Sequence, residues 1–211
     1  MLEAKNLHVV DGPLSRNKLK VLRDERTPTP EFRQAMKELA LILVAEASHA
    51  MPTSGVRIKT PLAQTEVEKI SDPVCLVPVL RAGLGMLEAA LALLPEATVG
   101  FMGLQRDEET AEPVEYYVNL PHNLEEYLVL VLDPMLATGG SLSATLSKLK
   151  EFGASWISCL HAVAATPGIE RVTSEHPDVN LYTAAVDPEL DENAFIVPGL
   201  GDAGDRLYGT L

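Results

Sequence analysis

The chain has 211 residues, 46% of them hydrophobic, which is enough to bury one sizeable core and to fill a single α/β domain at the upper end of its usual size. Lys plus Arg number 17 against 30 Asp plus Glu, and the resulting formal charge of −13 repels polyanions, so an extended nucleic-acid partner is not expected. A small anionic substrate stays open, because a few arginines and backbone amides can make a locally positive pocket in an acidic protein.

The opening stretch MLEAKNLHVVDGPLSRNK has no apolar h-region, and no apolar run reaches bilayer-spanning length, so a cytoplasmic protein without a membrane partner is expected. Thr29-Pro30-Glu31 reads as a helix start, with Thr29 at the N-cap and Pro30 at the first helical position. Phe32, Met36, Leu39, Leu43 and Ala47 follow at spacings of three or four, one apolar stripe for the sheet or for a partner subunit. Residues 54–70 alternate weakly and predict a small hairpin. From Val74 onward five apolar runs, 74–80, 97–104, 127–133, 156–164 and 179–186, are mostly separated by helical patterns at 84–94, 141–152 and 168–175. Near-continuous apolar strands of this kind belong to a parallel sheet covered on both faces, so a doubly wound, mainly parallel five-stranded α/β sheet with a small hood or hairpin region is expected. After 186 the chain turns Pro- and Gly-rich through VPGLGDAGDR, with little room for a helix. Cys75 and Cys159 sit in apolar runs and read as reduced core residues. His8, His49, His122, His161 and His176 show no paired spacing of a zinc site, so any metal should arrive with the substrate.

The most informative segment is YLVLVLDPMLATGGSLSATLSKLKEFGA, from Tyr127 to Ala154: a strand, an acidic residue at its end, a short loop and a helix. Gly139 and Gly140 let backbone amides turn toward an anion, Ser141 can cap the helix, and the Thr138 and Ser141 hydroxyls can add hydrogen bonds. Asp133, acceptor-only when ionised, suits vicinal ribose hydroxyls, so the segment reads as a site for ribose 5-phosphate. A plain strand-to-helix turn capped by serine would look similar taken alone. The loop lacks the G-x-x-x-x-G-K-[ST] lysine of nucleoside-triphosphate sites and falls too late for a dinucleotide fingerprint.

Two further strand ends carry arginine. Arg81 follows the run VPVL, with Ala82, Gly83 and Gly85 permitting close approach of an anion to the backbone. Arg106 precedes a charged stretch, 107–112, with too few apolar residues to be core, which reads as a mobile arm able to close over a reactive centre or as a plain solvated loop.

DPMLATGGS resembles the 5-phosphoribosyl 1-diphosphate (PRPP) loop of type I phosphoribosyltransferases, in the form typical of the uracil phosphoribosyltransferase family, where Asp133-Pro134 replaces two adjacent acidic residues. IVPGLGDAGDR is similar to that family's uracil-recognition loop, and PLSRNKLKVLRDERTPTPEFR resembles its opening segment more loosely. The resemblance implies PRPP contacts from Arg81, Arg106, Asp133, Pro134, Met135, Leu136, Ala137, Thr138, Gly139, Gly140, Ser141 and Asp202, and uracil contacts from Ile196, Gly201, Asp202 and Ala203. Exposed amides in such a loop can read uracil's carbonyl acceptors and N–H donors, though a tail packed across a dimer partner fits the same glycines. The family usually has Gly-Tyr where this chain has Ala194-Phe195.

The reaction so implied is attack of uracil N1 on C1′ of PRPP, giving UMP and pyrophosphate, with Arg81, Arg106, Asp133 and Asp202 as the catalytic set. Magnesium would enter with PRPP, held mainly by the substrate and additionally by Asp202. The resemblance further implies a homodimer or a multiple of dimers and a place for GTP or another nucleotide as effector. Residues 1–70 would form the helix and hairpin region, 71–186 the PRPP core and 187–211 the uracil loop of one domain. A purine or orotate is the rival base, and a non-catalytic RNA regulator of the same fold is the rival class, disfavoured by the acidity.

Overall fold

The computed structural model describes residues 5–106 and 113–210, with the side chains of residues 104–106 and 113–116 outside the description. A short strand, β1 (Leu7–Val9), leads into α1 (Pro13–Arg23) and α2 (Thr29–Ser48). The expected stripe of α2 is its buried face, with Phe32, Met36, Leu39, Leu43 and Ala47 fully enclosed. The helix starts at Thr29, one residue earlier than expected. Phe32 N–H bonds to the Pro28 carbonyl at 3.0 Å, so Pro28 takes the N-cap place without a side-chain cap bond, and Thr29 and Pro30 fall in the first turn. The proline costs nothing there, since the first-turn amides have no helical acceptor anyway.

The segment expected as a hairpin is one. β2 (Thr53–Lys59) and β3 (Gln64–Ile70) pair antiparallel from Thr53 with Ile70 to Lys59 with Gln64. Most of its residues face solvent on both sides, and Leu62 in its turn is 97% exposed.

The sheet region runs β4 (Val74–Leu80), α3 (Leu84–Leu93), β5 (Thr98–Val99), β6 (Phe101–Arg106), β7 (Pro113–Asn119), β8 (Leu128–Leu132), β9 (Met135–Leu136), α4 (Gly140–Glu151), β10 (Trp156–His161), β11 (Val163–Ala165), α5 (Thr166–Glu175) and β12 (Asn180–Thr183). Then come β13 (Val186–Asp187), β14 (Glu189–Leu190), β15 (Ile196–Val197) and α6 (Ala203–Tyr208). The main sheet is ordered β1-β12-β10-β8-β4-β6-β7, with β5 also paired to β4. Each of the five expected runs supplies a parallel strand, and β1, β5 and the antiparallel β7 raise the count to eight. β1 and β5 are too short to show a period in the sequence.

Side-chain alternation divides the core into two layers. Val74, Leu76, Leu130 and Leu132 pack with Phe32, Met36 and Leu39 of α2 and Met86 of α3. Cys75, Val77, Val129 and Val131 face the other way, against Leu142, Leu146 and Leu149 of α4 and Ile169 and Val172 of α5. Each such buried side chain contributes about 1.5–3 kcal/mol of transfer free energy, which is why these strands read as uninterrupted apolar runs. Both cysteines are free and buried. Burial pushes the Cys75 thiol up to about 11 and raises that of Cys159 well above its ordinary value, so both behave as packing groups.

Numbered in chain order, the central parallel strands β4, β6, β8, β10 and β12 lie in the spatial order 2-1-3-4-5. The order reverses between β4 and β8. At such a switch point the connections leave in opposite directions and a crevice opens at the carboxyl ends of the strands.

Candidate active site

The loops leaving β4 and β8 flank that crevice, and they are the two that hold Arg81 and Asp133. Asp133 follows the last residue of β8, its N–H bonded to the Leu160 carbonyl at 3.2 Å. Its own carbonyl lies 2.6 Å from His161 Nδ1, and since a carbonyl only accepts, Nδ1 carries the proton. Burial pushes the His161 pKa down to about 4, so the ring is neutral. Burial also pushes the Asp133 carboxyl up to about 7, opposed only by a long 3.5 Å contact from Met135 N–H. A ligand offering hydroxyl donors would restore the charged form.

Pro134 is buried, and its carbonyl accepts from Ala162 and Val163 N–H at 3.0 and 3.1 Å. It thereby lays β9 beside β11 and starts the loop, a structural duty. Gly139, at φ 80°, is the N-cap of α4, a left-handed position that favours glycine. Ser141 is not the cap: α4 begins at Gly140, no side chain caps it, and Ser141 lies in the first turn. Gly140 N–H makes one long 3.4 Å bond to the Thr138 hydroxyl, weak enough for a ligand to displace. Asp133, Met135, Leu136, Ala137, Thr138, Gly139 and Ser141 line a cavity of 100 Å³ there.

A second cavity of 210 Å³ adjoins it and shares Met135 and Ala137. Its wall contains Ile196, Gly201, Asp202 and Ala203, the four residues expected to read uracil, together with Ala82. Ala194, Phe195 and Gly204, absent from the expected set, complete it. The C-terminal segment expected to have little room for a helix forms the short α6, which Asp202 caps by accepting from Asp205 N–H at 2.8 Å. Ala194 stands at φ 65°, a backbone conformation in which the family's glycine would be at ease.

Arg81 is 60% exposed, and its Nη2 donates to Asp205 at 3.2 Å. The Tyr208 hydroxyl donates to the Arg81 carbonyl at 3.2 Å, so both ends of this residue meet α6. The Leu80–Arg81 peptide is cis. The side chain of Arg106 and the stretch 107–112 lie outside the described residues.

What holds the C-terminal loop in place escaped the sequence. Arg23 at the end of α1 pairs with both oxygens of Asp187 at 2.7 and 2.8 Å and donates to the Gly199 carbonyl at 2.8 Å. Asp187 also accepts from Gly199 N–H at 2.9 Å. Arg206 donates to the Leu200 and Asp24 carbonyls at 2.8 and 2.7 Å and stacks over Phe32. Arg23 and Asp187 stand 164 residues apart, and neither occupies a local pattern that marks it.

A small cavity at a glycine-led helix start, a carboxyl at the preceding strand end and an adjoining second cavity beside a 2-1-3-4-5 switch point are the parts of a type I phosphoribosyltransferase, the class that fold and site define. The sequence profile described as Uracil phosphoribosyltransferase matches residues 9–210, and the chain belongs to that family. It is similar to the uracil phosphoribosyltransferase of Shouchella clausii, 48% identical over 97% of this chain and 98% of the relative. The same enzyme from Thermoanaerobacter pseudethanolicus is 46% identical over 98% and 99%. Among solved structures, a protein from Aquifex aeolicus superposes with a TM-score of 0.90 at 36% identity, covering 96% of this chain and 97% of its own. A hypoxanthine-guanine phosphoribosyltransferase from Bacillus anthracis, 10% identical with a TM-score of 0.51 over 75% of this chain and 80% of that one, shares the fold alone.

Proposed function

We propose that the chain transfers the phosphoribosyl group of PRPP to N1 of uracil, forming UMP and pyrophosphate in pyrimidine salvage, with the two adjoining cavities as its sugar-phosphate and base sites. The carrying observation is that residues expected from two separate motifs, 133–141 and 196–203, line cavities that share the wall Met135 and Ala137. Substrate C1′ would lie at that shared wall, between a phosphate held on α4 and a base held on the C-terminal loop. Such placement brings N1 and C1′ together with translational entropy already spent.

The α4 amides and the Thr138 and Ser141 hydroxyls hold the 5′-phosphate, and Asp133 accepts from the ribose hydroxyls. Arg81, with Arg106, takes the departing diphosphate. Exchange of Asp205 for diphosphate oxygens keeps the Arg81 guanidinium paired throughout. In the bond-exchange step the N1–C1′ bond forms as the bond from C1′ to diphosphate oxygen breaks, and the N1 proton is released. Ile196, Gly201, Asp202 and Ala203 enclose the base, and backbone groups of the loop read its edge. Asp202, already engaged as a helix cap, has a structural duty alongside any contact with substrate.

Magnesium binds through one or two carboxylates with substrate phosphates completing its shell, and the Asp133 carboxyl lining the sugar cavity is a donor of that kind, so the residues fit a magnesium ion entering with PRPP. Asp133 and Asp202 would hold it, and when bound it supplies neutralising charge to the leaving diphosphate. A homodimer is supported by the projecting β2–β3 hairpin with its exposed Leu62, because an isolated two-stranded hairpin is marginally stable in water. Two free, buried cysteines suit the cytoplasm, and among the described residues no helix is long and apolar enough to cross a membrane. The three segments 1–70, 71–186 and 187–211 would then act as one catalytic domain.

The test mixes protein, PRPP, magnesium and uracil, and follows UMP and pyrophosphate, with orotate, hypoxanthine and an Arg81→Ala variant alongside. UMP forming only with uracil, and falling by two orders of magnitude or more in the variant, is the expected result. Turnover of another base in preference to uracil would overturn the base assignment.

A further inference from the structure

The phosphate loop 138–141 contains no cation, and the chain around it is strongly acidic. A doubly charged 5′-phosphate held by amides alone would sit in an unfavourable overall field. The fold supplies a remedy from α5. A Cβ placed on Gly140, the first residue of α4, would lie 3.3 Å from Arg171 Nη1 and 3.7 Å from Thr138 Oγ1. The guanidinium therefore lies against the first residue of α4, close to Thr138 at the rim of the loop.

Arg171 is held there by other side chains. Its Nε donates to Glu175 Oε1 at 3.0 Å, one turn along α5. The other Glu175 oxygen accepts from the Ser143 hydroxyl, a buried group in the first turns of α4. Ser143 in turn meets His176 Nε2 at 3.0 Å, and Lys150 Nζ lies 3.2 Å from His176 Nδ1. Lys150 can only donate, so Nδ1 accepts, Nε2 carries the proton, and the serine hydroxyl is directed at Glu175. This arrangement excludes a nucleophilic serine, since the imidazole has no lone pair facing it. Its effect is to tie α5 to α4 and to fix the Glu175 carboxylate, which orients the guanidinium and turns Nη1 toward Gly140.

We propose that Arg171 is a further phosphate-binding residue of the sugar site, contributing a permanent positive charge beside the 5′-phosphate, with Glu175 and Ser143 as its positioning residues. The inference rests on reading residues 138–141 as the phosphate loop. Arginine suits the task because its charge persists at every relevant pH and its separate N–H groups can serve Glu175 and a phosphate oxygen at once. Neither Glu175 nor Ser143 need touch substrate.

The test is calorimetric titration of the full chain with ribose 5-phosphate and with PRPP–magnesium, comparing wild type, Arg171→Gln, Arg171→Lys and Thr138→Val. Arg171 is 48% exposed, so its replacement leaves the core intact. Arg171→Gln should weaken both ligands about tenfold and flatten the dependence of affinity on salt, and Arg171→Lys should recover most of the salt dependence. The KM for uracil at saturating PRPP should stay at the wild-type value, which separates phosphate binding from a general structural role. Ribose 5-phosphate affinity within twofold of wild type in Arg171→Gln, with Thr138→Val impaired, would overturn the assignment of Arg171 alone. If both variants bind as wild type does, the phosphate loop itself has been misassigned and the proposed reading of the site falls with it.

Discussion

Replacing Arg23 with alanine tests how the proposed base pocket is held, since this side chain lines neither cavity of the candidate site yet grips the loop that forms one of them. Arg23 makes two charge-assisted bonds to Asp187 and one to the Gly199 carbonyl, with side-chain exposures of 26% for Arg23 and 6% for Asp187. Removing it leaves a buried carboxylate with Gly199 N–H as its remaining short partner at 2.9 Å. Breaking a fully buried pair costs about 3–5 kcal/mol, and the surviving bond and partial exposure bring this case to about 3 kcal/mol. For a chain of this length that is a fall in Tm of about 6–12 °C. Function should fall selectively. Gly199, at φ 58°, closes the turn after Ile196, so its release displaces the base wall and leaves the α4 amides untouched. The uracil KM should rise about tenfold or more while PRPP affinity changes less than threefold, and Arg23→Lys, retaining charge without the fork, should lose about half as much stability. Thermal denaturation and steady-state kinetics decide it. A Tm within 2 °C of wild type together with an unchanged uracil KM would refute the reasoning.

Further outcomes follow from the same geometry. Ala203→Val should fill the base cavity, raising the uracil KM at least tenfold with PRPP affinity intact, as read by kinetics and calorimetry. Asp202→Asn keeps a good cap on α6 and removes only the charge, so unchanged turnover would show that Asp202 has no electrostatic part in the reaction, whereas Asp202→Ala should cost about 1 kcal/mol by losing the cap. The Asp133 carboxyl, raised to about 7 by burial from an ordinary 3.8, binds its proton more tightly folded than unfolded. Its contribution to stability is therefore fully present below pH 4 and is lost as pH rises through 7; relative to wild type, the Tm of the ligand-free Asp133→Asn variant should lack that decline. Ala194→Gly relieves a left-handed alanine, about 1–2 kcal/mol, against an unfolded-state entropy cost of about 0.4–1 kcal/mol, so a small gain in Tm is expected in a thermal melt.

The sequence by itself determined the strands, because a strand buried on both faces must be apolar at every position, and 74–80 and 127–133 carry that mark without help from context. It also marked the two glycine-bearing loops proposed to hold phosphate and base, since the left-handed positions at Gly139, Gly199 and Gly201 demand glycine locally. Tertiary structure alone decided what joins them. The reversal between β4 and β8 that sets Arg81 across from Asp133, and the sharing of Met135 and Ala137 by two cavities, depend on strand order, which no local period encodes. The same holds for the polar pairs. Arg23 with Asp187, Arg206 under the base loop and Arg171 over Gly140 look like ordinary surface charges in the chain, because a guanidinium reaches its partner through space and the energy of that contact is set by burial at the place where distant segments meet. Even the caps moved for this reason. Ser141 and Thr29 have the chemistry of an N-cap, but the backbone entered each helix a residue or two earlier, directed by Gly139 and Pro28.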